Sequence, residues 1–380
     1  MEYRTRSRTR FMNSNQKKMR HSGNAGRQGF TLIELLVSIS IIGLLMSLIL
    51  PAIQNSRQSA ERIQCANRLR NISIAMQGWV AANDRYPAAG LWGGRNVTDK
   101  TAPEPHHNWV VELLPYLDRQ DLSDRWNHDL QMFDAPNADL AQIHLKVLVC
   151  PSDHTVNGTG DLSYALNGGI GESLNLGVHD CITDPFYNVI DLNGNGQTCL
   201  PLDSDEMSPS DREIFYRLGL FFNENYGFRG TAGYEGTHRY HRPATVIDGT
   251  SNTLMIAENL RTGYDPFRTD INRSTWATAD ARRNRGFFGH QICNGNDCST
   301  GNVDFERANS GNQAINSGLD DPEGEAPWPN SSHPGGVNIA MADGSVRFLS
   351  EDIDGRAYMQ LFTPQGSKLQ GLALDNGDPN

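Results

Sequence analysis

Apolar and polar positions divide the chain into three stretches. From Phe30 to Ile53 the residues are apolar or small, and Glu34 is the only charge. About 20 such residues cross a hydrocarbon core as a helix. Past Pro51, where a kink is expected, the pattern changes. Ile53, Ala60, Ile63, Ala66, Leu69, Ile72, Met76 and Trp79 follow helical spacing, with Arg57, Arg62, Arg68 and Arg70 between them. That predicts an amphipathic continuation with one face on a globular body. One helix of roughly 50 residues is expected, from Phe30 to near Trp79, ended by Asn83-Asp84-Arg85-Tyr86-Pro87.

The remaining stretch is rich in Gly and Pro, and its apolar runs are short. Trp109 to Leu122 reads as a helix interrupted by Pro115, and Leu145 to Val149 as a strand. Ala244 to Val246 and Thr253 to Ile256 read as short strands around Asp248-Gly249-Thr250. Val337 to Ala340 and Val346 to Leu349 flank Ala342-Asp343-Gly344-Ser345, and Asp-Gly between two apolar runs is a strong hairpin signal. The expected fold class is α+β: a long N-terminal helix packed on an antiparallel sheet, with irregular polar insertions near 170–240 and 260–330. The expected divisions are a basic leader (1–29), a transmembrane helix (30–53), its amphipathic continuation (54–82), a β-rich body (83–355) and a C-terminal tail (356–380). No internal repeat is found.

Charge orients this plan. Eight basic residues stand against Glu2 in the first 29, a balance of +7, which predicts a cytoplasmic N-terminus and an exported body. A cleaved secretory signal fits poorly, because the basic stretch and the apolar run are both long and no small-x-small site follows. The rest of the chain carries 25 basic and 43 acidic residues. An acidic body with no basic stripe argues against nucleic acid. Six cysteines suit an oxidising compartment. Cys181 with Cys199, and Cys293 with Cys298, are near enough in sequence for local bridges, and Cys65 with Cys150 would tie the helix to the body. Sequence alone leaves the pairing open.

Candidate chemistry is sparse. Asp191, Asn193 and Asn195, with Gly196 in sixth place, match the first half of a calcium loop, but Leu202 stands where the bidentate Glu is expected. The choice is between a weak Ca²⁺ site and an Asn-Gly surface loop; no other cofactor is expected. Cys293 and Cys298 have no partner pair with zinc spacing. His106, His107, His128, His144 and His154 are scattered, and His238 and His241 lack a third ligand, so all are read as surface or structural. Trp92 and Trp328 lie in Gly- and Pro-rich loops and offer stacking faces.

Glu34 is the exception. A carboxylate within a spanning helix costs several kcal/mol unless paired. The run Gly29-Phe30-Thr31-Leu32-Ile33-Glu34 resembles the type IV prepilin and pseudopilin signature over about 25 residues. The resemblance implies cleavage between Gly29 and Phe30 by a prepilin peptidase and N-methylation of Phe30. It also implies pairing of Glu34 with a neighbour's Phe30 amine as pilin-like subunits pack. A second resemblance lies downstream. Cys65-Ala66-Asn67-Arg68-Leu69, Leu113-Leu114-Pro115-Tyr116-Leu117, Val149-Cys150-Pro151-Ser152-Asp153, Asp248-Gly249-Thr250-Ser251-Asn252-Thr253 and His333 to Gly344 follow the order seen in DUF1559 proteins. His333, nine residues, then Asp343-Gly344 fits their H-X9-DG motif. This family implies a pilin-like fold and no activity. From the residues themselves, Asp343-Gly344 makes a turn, His333 hydrogen-bonds a loop, and neither is catalytic. The expected protein is a single-pass inner-membrane assembly subunit of a type IV pilus-like or type II secretion-like filament, and not an enzyme. Its body would be periplasmic or extracellular. The alternative is an anchored surface protein that binds a glycan or peptide without polymerising.

Overall fold

The computed structural model describes residues 31–92, 105–156, 158–170, 172–173, 182–183, 217–222, 224–225, 240–262, 275–278, 286–289, 307–311, 314–320, 326 and 328–368. The chain divides into two compact units, Met1–Asn55 and Ser56–Asn380. A single helix, α1 (Leu32–Asn83), runs for 52 residues with Pro51 inside it. In the first unit its large apolar side chains, Leu32 to Ile53, are exposed on every side. Length and composition make this part long and apolar enough to cross a membrane.

In the second unit α1 buries one stripe: Cys65, Leu69, Ile72, Met76 and Trp79, spaced alternately by four and three residues, with Val80 beside them. This shifts the expected stripe. Ile53, Ala60 and Ile63 are exposed and Ala66 is only half-buried. Two residues along a helix turn the side chain by about 200°, so a stripe through Cys65 leaves Ile63 facing away.

The body is built from β1 (Gly90–Trp92), β2 (Pro105–Asn108), β3 (Leu162–Ile170), β4 (Glu172–Ser173), β5 (Ile182–Thr183), β6 (Glu224–Asn225), β7 (Leu254–Thr262), β8 (Gly286–Gly289), β9 (Gly336–Met341) and β10 (Val346–Ser350). The main sheet has the order β10-β9-β7-β3-β8; its first three pairings are antiparallel and β3–β8 is parallel. A three-stranded sheet, β2-β1-β6, pairs β1 with β2 antiparallel and with β6 parallel; β4 and β5 pair separately. The sheets are therefore antiparallel with two parallel additions. The stripe of α1 shares one apolar core with Tyr164, Leu166, Met255, Ile256 and Ala340 of the main sheet. All six residues of β9 are buried, as expected of a strand covered on both faces.

The β9–β10 hairpin matches its sequence signal almost residue for residue, and the Thr253–Ile256 prediction falls on the start of β7. Other short predictions do not hold. The Leu145–Val149 strand is a 3₁₀ turn at Lys146–Leu148, because Leu145 and Leu148 both bury, three apart, on one side of a turn. Ala244–Val246 is also a 3₁₀ turn, started by Pro243 and closed by the Arg242 N–H bonding Thr245 Oγ1 at 3.0 Å. The helix expected over 109–122 breaks into α2 (Trp109–Leu113), a 3₁₀ turn at Leu114–Leu117 and α3 (Gln120–Ser123). Asp118, at φ 57°, turns the chain between them. A further short helix, α4, spans Asn137–Ala141. The expected tail is no tail at its start. It forms α5 (Gly355–Phe362), capped by Asp354 Oδ1 accepting from the Ala357 N–H at 3.0 Å. Tyr358, Met359 and Phe362 are buried, and α5 packs on β3 and β7. The reason is the apolar triplet at helical spacing, which the short C-terminal segment buries.

Candidate functional site

The start of α1 is closed by a reciprocal cap. Thr31 N–H and Oγ1 donate to Glu34 Oε2 at 2.9 and 2.8 Å, while Glu34 N–H donates to Thr31 Oγ1 at 3.3 Å. This is a capping box, Thr-x-x-Glu, in which two orphan amides of the first turn are satisfied by side chains. Further along, Ser38 Oγ and Ser40 Oγ return to the carbonyls of Glu34 and Leu36, both at 2.7 Å, so these hydroxyls are also satisfied within the helix. Gly29 and Phe30 lie outside the described residues. The site geometry therefore begins one residue past the expected cut.

The second constellation is buried in the body. Glu258 of β7 is fully buried and accepts two hydrogen bonds, with an imidazole beside it. Asn338 donates to it twice, from its backbone N–H at 2.7 Å and its Nδ2 at 2.9 Å, and His333 Nε2 lies 3.3 Å away. The same Nε2 lies 3.7 Å from Cys150 Sγ. Cys65 and Cys150 form a disulfide that joins α1 to the segment before β3. Tyr164 Oη donates to the Cys65 carbonyl at 3.1 Å, and burial holds its hydroxyl well above the usual tyrosine range. Arg68, one turn along α1, donates to the Val149 carbonyl. The His333 ring thus meets a carboxylate and a sulfur, while its backbone N–H makes the expected loop contact, to Ser331 Oγ at 3.0 Å. Among the described residues no arginine pairs with Glu258. Every acceptor is satisfied, the nearest sulfur is locked in a bridge, and the arrangement contains no activated nucleophile.

Asp343 and Gly344 sit at the other end of β9. Ser345 N–H donates to Asp343 Oδ1 at 2.8 Å, and Asp343 N–H donates to the Thr250 carbonyl at 3.0 Å. Gly344 has φ 83°, and a Cβ there would meet Gln77 Cγ of α1 at 3.2 Å. Gln77 Nε2 donates to the neighbouring Ala342 carbonyl at 2.8 Å. The turn is thus a docking point between helix and hairpin. The two ends of His333-X9-Asp343-Gly344 do different work: one packs the disulfide, the other seats the turn. Asp248 has its own task, accepting from Gly366 N–H at 2.5 Å and Ser367 Oγ at 2.6 Å.

Cys181, Cys199, Cys293 and Cys298 lie outside the described residues, as do Asp191, Asn193 and Asn195 of the calcium-like loop. Trp328 is buried, with Nε1 donating to the Ser317 carbonyl at 2.9 Å, so it presents no open stacking face. Two groupings escaped the sequence reading because each is assembled across long separations. One is Glu258, Asn338 and His333 with the disulfide; the other is His107, Glu112 and His128.

Comparison with known proteins agrees with both ends of the chain. The Prokaryotic N-terminal methylation motif matches residues 24–50. Type II secretion system core protein G of Pectobacterium carotovorum subsp. carotovorum is 29% identical over 112 residues, covering 28% of this chain and 67% of that protein. The Klebsiella pneumoniae protein of the same description is 30% identical over 111 residues, covering 28% and 74%. That of Vibrio cholerae is 27% identical over 118 residues, covering 30% and 73%. No solved structure matches. The model described as Protein of unknown function (DUF1559) matches residues 54–356, which hold the disulfide, the Glu258–His333 contact and the docked Asp343-Gly344 turn, and the chain belongs to that family.

Proposed function

We propose that this protein is a pseudopilin-like subunit, cut between Gly29 and Phe30 by a prepilin peptidase and methylated on Phe30. The basic leader holds the N-terminus in the cytoplasm, and the body is exported through a single crossing of the inner membrane. The apolar half of α1 then packs with other pilin-like subunits in a type II secretion-like or type IV pilus-like filament. The role is assembly and not catalysis. One observation carries this reading: the methylation-motif match over 24–50 coincides with the exposed apolar start of α1. The similarity to type II secretion core proteins supports the same role.

Glu34 is the assembly residue in this scheme. Thr31 N–H and Oγ1 both donate to Oε2 of Glu34 and not to Oε1, and in this scheme Oε1 is the oxygen that takes a neighbour's Phe30 amine. The first test is the N-terminus of protein extracted from membranes. A start at methylated Phe30 is expected; a start at Met1 overturns processing. The second is Glu34→Ala against Thr31→Ala. Glu34→Ala is expected to abolish cross-linked multimers while leaving membrane insertion intact, and Thr31→Ala to keep them. Equal loss in both variants reduces Glu34 to a helix cap. Wild-type protein that is processed yet never multimeric supports the anchored binder instead.

A further inference from the structure

We propose that His107, Glu112 and His128 form a Zn²⁺ site in the body, independent of the assembly role. The three are spread over 22 positions with no motif spacing, and the fold brings one ligand atom of each within 4.8 Å of the other two. His107 lies near the end of β2. Asn108 follows and caps α2, its Oδ1 accepting from the Val110 N–H at 3.0 Å, so the first turn of α2 carries Glu112 back over the imidazole. His107 Nε2 and Glu112 Oε1 are 3.0 Å apart. His128 arrives from the segment between α3 and α4, and that segment is pinned. Asn137 accepts from Asn127 N–H at 2.8 Å, and its Nδ2 donates to the carbonyls of Asn127, Leu130 and Gln131 at 2.8, 3.3 and 3.2 Å. The two imidazole rings meet edge to face, 5.1 Å between centroids, and Trp126 also meets His107 edge to face, 6.2 Å between centroids.

The geometry has the ingredients of a three-ligand site. His107 is buried, Glu112 half-buried and His128 exposed, so the grouping reaches solvent at His128, where water would serve as fourth ligand. Among the described residues, His107 Nδ1 is buried without a hydrogen-bond partner. An ion taking the Nε2 lone pair would replace the Nε2–Glu112 hydrogen bond and leave the ring proton on Nδ1. Two imidazoles and one carboxylate suit Zn²⁺; Ca²⁺ wants six or more oxygens. Binding would clasp the β2–α2 corner to the segment before α4.

The test uses the full chain in detergent, disulfides intact and metals removed by chelation. Co²⁺ is the optical probe and Zn²⁺ the competitor. Expected are visible d–d bands without a thiolate charge-transfer band, bleached by Zn²⁺. In His128→Ala, a change at an exposed position, affinity should fall by at least roughly tenfold, with the circular dichroism of the metal-free protein unchanged. Glu112→Gln should weaken binding in the same sense. Absence of the bands in wild type, or the same bands at the same affinity in His128→Ala, overturns the site.

Discussion

Glu34 meets the cost of a carboxylate in an apolar helix locally, by capping the turn it sits in. The cap and the proposed pairing use the same carboxyl group, so the capped form holds the side chain at the end of α1, where a neighbour's amine would arrive. Glu258 faces the same problem inside the body and answers it with Asn338 and His333, so that a fully buried carboxylate lacks no donor. Tyr86 is the residue whose titration reads out the fold. Burial, and secondarily the charge of Asp343, push its hydroxyl from 10.0 up to about 12. The folded chain keeps that proton where the unfolded chain has lost it. The resulting stability is whole below pH 10 and falls as pH rises from about 10 to 12, by roughly 2–3 kcal/mol for this group. Tyr164 and Tyr358 are raised too and add in the same direction. Urea unfolding at pH 8 and pH 11.5 should show the loss, and Tyr86→Phe should shrink it. At pH 8 the same change should cost about 0.5–1.5 kcal/mol, because Tyr86 Oη donates to the Ala342 carbonyl at 3.3 Å.

Among the elements, the β9–β10 hairpin and α1 are coupled by Gln77 to Ala342, Gly344 against Gln77, Asn338 Nδ2 to the Arg62 carbonyl at 3.4 Å, and the Arg62 guanidinium over the Phe348 ring at 4.5 Å. Near the far end of the hairpin, Gly336 has φ 153°, and a Cβ there would fall 1.9 Å from the Leu349 carbonyl oxygen of β10. No side chain fits without separating the strands. Gly336→Ala should therefore destabilise by at least about 3 kcal/mol, in the range of strain and overpacking combined, read as a drop in the urea midpoint. An unchanged midpoint would mean that the hairpin opens freely at this end. His333, three residues before, depends on the same corner: its N–H donates to Ser331 Oγ at 3.0 Å, and Ser331 Oγ donates to the Gly336 carbonyl at 2.8 Å.

For the molecule as a whole, the Cys65–Cys150 bridge is the longest-range covalent constraint described, with a sequence separation of 85. Closing a loop of that size stabilises a fold by about 4–5 kcal/mol on the chain-entropy model, and measured values for disulfides are typically 2–4. The Cys65→Ser/Cys150→Ser double variant should lose stability in that range in denaturant titration of the full chain. A loss below about 1 kcal/mol would show that the α1 stripe and the Gln77 and Asn338 contacts hold helix to sheet unaided.

What the sequence by itself determined was whatever rests on neighbours along the chain. The apolar run defines a membrane-length helix, the basic residues before it are the ground for the expected orientation, and Asp343-Gly344 marks a hairpin; the Thr31-x-x-Glu34 cap is as local, though it was not read from the sequence. These depend on periodicity, charge asymmetry and turn chemistry, which act over a few residues. Where local signals were short, as in 145–149 and 244–246, burial and a proline chose a turn over a strand. The phase of the α1 stripe also lay beyond reach, because Ile63 and Cys65 are both apolar and only the position of the sheet says which one is covered. Tertiary structure alone decided that Cys65 bridges Cys150, that His333 answers to Glu258 across 75 positions, and that His107 meets His128. Those pairings join residues whose separation in sequence carries no period, and only packing of one element on another brings them within bonding distance.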